Sequence, residues 1–179
     1  MAMRSAERLE SSAAPRRDWH ASREMTRRRD LAVSIRASLA WRAGRFSETL
    51  ALLERRHPHV WSPPEMHFVD NESMQPEYPL LNQAYERWLH AEVLRQLGRN
   101  TEAIDWYAAL GFYSGEELAY LPASRLRMGD IYRQLGDTAA AVEQYRRVVR
   151  LWSEGDPELR PLLNEVRGKL GALERPVRR

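Results

Sequence analysis

The amino-acid sequence predicts an all-α fold: three helix-turn-helix repeats stacked as an α-solenoid and closed by a C-terminal capping helix. Three observations predict it. Ala, Leu, Arg and Glu dominate the 179 residues and strand formers are sparse, the composition of a helical protein. Three segments superpose when Gly44, Gly98 and Gly136 are aligned. Each glycine stands between stretches whose apolar residues recur at helical spacing.

The first segment runs Leu31-Ala-Val-Ser-Ile-Arg-Ala-Ser-Leu-Ala-Trp-Arg-Ala-Gly44 and continues Arg-Phe-Ser-Glu-Thr-Leu-Ala-Leu-Leu53. The second runs from Tyr85 through Gly98 to Tyr107, and the third from Ala123 through Gly136 to Tyr145. A glycine can take the left-handed conformation that ends a helix at little cost. Asn100 and Asp137, just beyond the glycines, can cap the helix that follows. Ala37, Ala91 and Gly129 are small residues at mid-helix, where a paired helix must approach closely. Apolar positions then recur in the second helices: Ala103, Ile104, Tyr107 and Leu110, and again Ala141, Val142, Tyr145 and Val148.

These residues resemble the tetratricopeptide repeat (TPR), a motif of 34 residues. Gly129, Tyr132, Gly136, Ala141 and Tyr145 fall where that motif expects them, as do Ala91, Leu94, Gly98, Ala103 and Tyr107. The first segment departs from the pattern, with Thr49 where alanine is usual and Ala40 where an aromatic is usual. Gly44 to Gly98 spans 54 positions and Gly98 to Gly136 spans 38, so insertions separate the repeats. The runs "QAYERWLHAEVLRQLGR" and "LAYLPASRLRMGDIYRQLGD" and the ending "YRRVVRLWSEGDPELRPLLNEVRGKL" resemble a recurrent C-terminal TPR region. That region occurs in large bacterial multidomain proteins, notably serine/threonine kinases and signalling or transcriptional regulators. The resemblance implies a non-catalytic protein–protein interaction module, a scaffold or sensor portion of a bacterial signalling protein. No motif of a kinase is present: no glycine-rich loop before a lysine, no His-Arg-Asp, no Asp-Phe-Gly.

The expected organisation is a flexible basic segment at 1–19 and a TPR-like domain at 20–174, with repeats at about 30–56, 84–113 and 122–152. A basic tail follows at 175–179. Residues 57–80 hold five prolines (Pro58, Pro63, Pro64, Pro76, Pro79) and the acidic Asp70, Glu72 and Glu77, which predicts a long inserted loop. Whether that loop fills the groove is left open. The first helix is expected to begin early, near Ala21. Asp156-Pro157 reads as a cap followed by proline at the first helical position, opening a capping helix over 157–174. That helix places Leu159, Leu163, Val166 and Leu170 on one face to cover the last repeat.

Composition excludes several classes. Without cysteine there can be no disulfide framework, Cys-based zinc site, iron–sulfur cluster or thiol nucleophile, and a reducing cytoplasm is the compartment that fits. No apolar run approaches the roughly 18 residues of a membrane helix. The basic N-terminus lacks the hydrophobic stretch of a secretory signal. Residues 1–30 hold eight arginines against five acids, a net +3 equal to the whole chain's formal charge. The remainder balances at twenty against twenty, which is not the clustered charge of a nucleic-acid-binding body. Lys169 is the only lysine beside 27 arginines, a ratio that points to a GC-rich bacterial genome.

By the same resemblance, the first helix of each pair lines a groove for a protein or peptide. Its facing positions are Ser34, Ser38 and Trp41, then Tyr85, Trp88, Glu92 and Arg95, then Leu126, Arg127, Asp130 and Arg133. Large aromatics such as Tyr85 and Trp88 suit interface anchors. Chaperone-binding members grip a C-terminal carboxylate from positions matching Ser34, Ser38, Leu89, Ala123 and Arg127 here. Only Arg127 has the required chemistry, so a carboxylate clamp is not expected.

His57, His59 and His67 lie in the proline-broken loop without the helical spacing that aims two rings at one metal ion. No metal and no cofactor are therefore expected. Glu116-Glu117 and Glu154/Asp156 could pair for acid–base work, but they border predicted helix ends with no companion nucleophile. Capping and solvation explain them. Arg27-Arg28-Arg29 reads as an exposed helix face, and Arg147 follows Glu143 at ion-pair spacing. Two other readings stay open: a regulatory C-terminal fragment that docks on a separate kinase or cyclase domain, and a nucleic-acid-binding module using the basic N-terminus. The degenerate first repeat leaves an apolar N-terminal edge, where residues 1–30 or a second copy of the chain could pack.

Overall fold

The computed structural model describes residues 3, 5, 7, 19–55, 84–111 and 115–174. The predicted insertion 57–80 with its three histidines, the tail 175–179 and most of the N-terminal segment 1–19 lie outside the described residues. Among the described residues every regular element is helical: α1 (Trp19–Arg42), α2 (Phe46–Glu54), α3 (Ala84–Gln96), α4 (Asn100–Ala108), α5 (Leu121–Gln134), α6 (Thr138–Trp152) and α7 (Arg160–Glu174). Short 3-10 turns at Gly115–Ala119 and Pro157–Leu159 complete the set. The architecture is an all-α helical repeat. No described helix is long and apolar enough to cross a membrane.

One turn recurs three times. Gly44, Gly98 and Gly136 take φ values of 71°, 75° and 80°, the left-handed region that a side chain would strain. At each, the glycine N–H bonds the carbonyl three residues back (Trp41, Arg95, Arg133), at 2.9, 3.1 and 3.2 Å. The next N–H bonds the carbonyl five residues back (Ala40, Leu94, Tyr132), at 2.9 Å in all three. This pair of bonds is the Schellman motif, which satisfies carbonyls that a helix end leaves orphaned. The three glycines predicted from sequence alignment are therefore structurally equivalent.

The helix starts are less uniform. Asp137 accepts from the Ala140 N–H at 2.9 Å, so that predicted cap forms. Arg45 holds the equivalent place before α2 and makes no side-chain cap. Asn100 is already the first residue of α4, one position too late for the capping role expected of it. Asp156 makes no side-chain cap either. Pro157 opens a 3-10 turn, held by the Leu159 N–H on the Asp156 carbonyl at 2.9 Å, and α7 proper starts at Arg160.

The chain divides into two compact units, residues 1–99 and 100–179, so the second predicted repeat gives one helix to each. In the first unit α1 packs on α2 and α2 on α3. Ala32, Ala37 and Ala40 are fully buried with Leu50 and Leu53, small side chains that let backbones approach. Thr49 is also fully buried. It is tolerated where alanine is usual because its hydroxyl donates to the Arg45 carbonyl at 2.9 Å, leaving no unsatisfied donor.

In the second unit α4 packs on α5, α5 on α6, and α6 on α7. The core joins Leu126, Ala141, Tyr145, Val148 and Val166, with Tyr132, Trp152, Leu162 and Leu170 against it. Val166 is fully buried and Leu163 nearly so, so α7 covers the last hairpin as expected. Glu117 corrects one sequence reading. It is fully buried rather than solvated, and it accepts from the Gly111 N–H at 2.9 Å, closing the loop before α5.

Two glycine substitutions should move stability in opposite directions. A Cβ at Gly136 meets nothing within 4 Å, so Gly136→Ala suffers only the left-handed backbone, a loss of about 1–2 kcal/mol. Gly168 lies inside α7 in equally open space, and Gly168→Ala should gain about 0.5–1 kcal/mol. Equilibrium urea unfolding of both variants checks the pair of signs.

Candidate functional site

In the first unit the candidate positions fall on α1 and α3. Ser34 and Ser38 turn their hydroxyls onto their own helix, donating to the Asp30 and Ser34 carbonyls at 3.0 and 2.9 Å. Trp41 is half-buried and packs across the Gly44 turn on Phe46, ring centroids 5.2 Å apart and planes tilted by 52°. Helix α3 is buried at Ala84, Arg87 and throughout Leu89–Leu94. Against that background Tyr85 is 40% exposed and Trp88 half-buried. Glu92 is only 5% exposed and holds Arg95 at 2.8 Å, so those two groove positions form an ion pair with each other. Arg87 and His90, which sequence reasoning passed over, are equally buried. Their placement in phase with the buried Ala84, Ala91 and Leu94 of α3 was the available signal.

In the second unit Leu126 is buried in the core, Arg127 is half-buried and Arg133 is exposed. Asp130 is held from within its own unit. Its Oδ1 accepts from the Tyr145 hydroxyl at 2.7 Å and from the Lys169 Nζ at 2.9 Å. Lys169 also reaches Glu165, one turn back on α7, at 3.1 Å. The chain's single lysine thus ties α7 to α5, a compact point charge suited to two carboxylates at once. Nothing in the spacing of Asp130 and Lys169, 39 residues apart, announced that contact.

The electrostatics follow from this geometry. Burial raises the Tyr145 pKa above the usual phenol value, the Asp130 hydrogen bond and charge raise it further, and Arg133 partly opposes them. Burial alone would lower the Lys169 pKa, but the bonds to Asp130 and Glu165 outweigh it and the net shift is upward. On α6, the bond from Arg147 holds the Glu143 carboxyl below its ordinary value, and the predicted ion pair forms at 2.8 Å.

Residues 122–151 match the tetratricopeptide repeat family, whose repeats generally mediate protein–protein interaction. The matched segment is the α5–α6 hairpin with its Gly136 turn. No curated protein and no solved structure matched the chain.

The Asp130 cluster sets a pH dependence. Tyr145 and Lys169 both have folded pKa values above their ordinary ones. Their contribution to stability is therefore complete below the unfolded values, near about 10, and is lost as pH rises through the folded ones. The urea midpoint should therefore change little from these groups up to about pH 10 and fall above it. Asp130→Asn removes the charge that raises both groups, so its fall should be smaller. An equal fall in both proteins would contradict the coupling.

Proposed function

We propose that this chain is a non-catalytic protein-interaction module, a scaffold or sensor portion of a cytoplasmic bacterial signalling protein. The observation that carries the proposal is Tyr85. It is a large aromatic, 40% exposed, on a helix that is otherwise buried at most of its positions. An exposed aromatic on a rigid, well-buried helix fits an interface anchor, because little entropy is lost when it is desolvated. Trp88 and Trp41 extend the aromatic set of the first unit. Arg127 and Arg133 offer charge from the second. Asp130, Glu92 and Arg95 are engaged in bonds within the protein.

The tetratricopeptide match over 122–151 supports an interaction role. The recurrence of the same turn geometry at Gly44 and Gly98 supports extending it beyond the matched hairpin. The signalling context rests on the resemblance of the sequence runs around 83–99 and 118–170 to C-terminal regions of bacterial kinases and regulators. The missing cysteines fit the compartment. Leu31, at the apolar N-terminal edge, is 47% exposed, which fits self-association there.

The test is affinity capture with the wild-type chain, Tyr85→Ser and Arg133→Glu, each verified as folded by circular dichroism. The expected result is a partner retained specifically by wild type and weakened about tenfold or more by Tyr85→Ser, the loss of a hot-spot aromatic. Equal retention of every recovered protein by all three chains would refute the groove assignment.

A further inference from the structure

A second surface in the 100–179 unit carries chemistry that the groove positions do not. Helices α5 and α6 flank an open cleft of about 390 Å³, lined among the described residues by Leu121, Arg125, Arg147, Arg150 and Leu151. Leu121 and Arg125 are one turn apart on α5. At 100° per residue they lie on the far side of that helix from Asp130, so the cleft is distinct from the predicted groove. Arg147, Arg150 and Leu151 share one face of α6 at spacings of three and four.

The charge of this cleft is one-sided. Arg125 is half-buried and reaches Gln144 at 3.5 Å, a neutral partner. Burial lowers its pKa, and the positive charge of Arg147 lowers it further, the signature of guanidinium groups crowded together. Arg147 is neutralised by Glu143. Arg150 is exposed and forms no ion pair among the described residues. Three guanidinium groups therefore line the cleft against the single carboxylate of Glu143, which is bonded to Arg147 and also lies within the field of Arg150. An anion seated between Arg125 and Arg150 would offset the positive charge of Arg147 on Arg125 and accept from both donor forks.

The walls select among anions. Leu151 is 46% exposed, and with Leu121 it offers apolar surface that a free phosphate could not use. No aromatic is among the described residues that line the cleft, and aromatics are the stacking platform that favours single-stranded nucleic acid. The volume lies at the lower end of ordinary ligand pockets, about 300–1,000 Å³. We infer that this cleft docks a short acidic peptide segment of a partner, with its carboxylates on Arg125 and Arg150 and an apolar side chain between Leu121 and Leu151. The site is separate from the groove proposed above and does not depend on it.

Fluorescence anisotropy on the full chain tests the inference with a labelled hexapeptide, Asp-Leu-Glu-Leu-Asp-Glu. Saturable binding is expected, weakening as salt is raised. Arg150→Glu reverses an exposed charge that supports no internal bond and should weaken binding by about fivefold or more. Arg167→Glu, the same reversal on the exposed face of α7, should change it less than about twofold. Tyr85→Ser should leave it intact, which separates this cleft from the proposed groove. Binding unaffected by Arg150→Glu, or absent altogether, overturns the proposal. So does equal binding of a peptide with Ser in place of both Leu, or of a thymidine hexanucleotide, since either would make the cleft a general anion surface.

Discussion

The hairpin of α5 and α6 depends on the absence of a side chain at residue 129. The Tyr145 ring lies so close that a Cβ there would stand 2.6 Å from its Cε1 and 2.8 Å from its Cδ1. Both distances are well inside van der Waals contact, and a fully buried ring has no room to withdraw. From that position the Tyr145 hydroxyl reaches Asp130, the residue next to the glycine. Lys169 arrives at the same carboxylate oxygen from α7. One steric vacancy thus sets the approach of two helices, and one carboxylate then fixes the third. Hydrogen bonds to a charged group contribute about 1.5–3 kcal/mol each when partly buried, so the cluster is a large share of a small unit's stability.

Much of this was legible in the sequence because the constraint excludes most residue types. A left-handed helix end at 44, 98 and 136 nearly demands glycine, and a close helix crossing demands a small residue at 37, 91 and 129. Such positions leave a mark in a single sequence. The capping helix was legible for a similar reason, since Leu163 and Val166 must fall on one face to be buried together. The roles of Asp130, Glu117 and Asn100 were not legible. Each depends on where another element arrives: Lys169 on α7, the Gly111 amide, or a helix that already begins at the residue expected to cap it. A polar residue tolerates many such fates, so its identity alone does not reveal which one it meets.

The same difference separates the two surfaces of the protein. Positions assigned to the groove by repeat register include Glu92, Arg95 and Asp130, and all three are engaged in internal bonds: Glu92 with Arg95 within α3, Asp130 with Tyr145 and Lys169 of α6 and α7. What remains exposed is aromatic in the first unit and basic in the second. The cleft of Arg125, Arg147 and Arg150 escaped register reasoning because its residues come from both helices of a hairpin. Its signal was the coincidence of a Leu–Arg pair on α5 with an Arg–Arg–Leu face on α6. Repeat folds favour such an arrangement: conserved spacing spends one face of each helix on packing, and the other faces remain available for contact chemistry.

The close approach of Gly129 and Tyr145 is tested most directly by a double-mutant cycle in equilibrium urea unfolding. Gly129→Ala adds one methyl group to a helix interior, where alanine is otherwise the better residue. Close packing predicts a loss of about 1–3 kcal/mol instead, and a loss at least halved when Tyr145→Leu removes the ring edge. A neutral or stabilising Gly129→Ala, or an equal loss in both backgrounds, would contradict it.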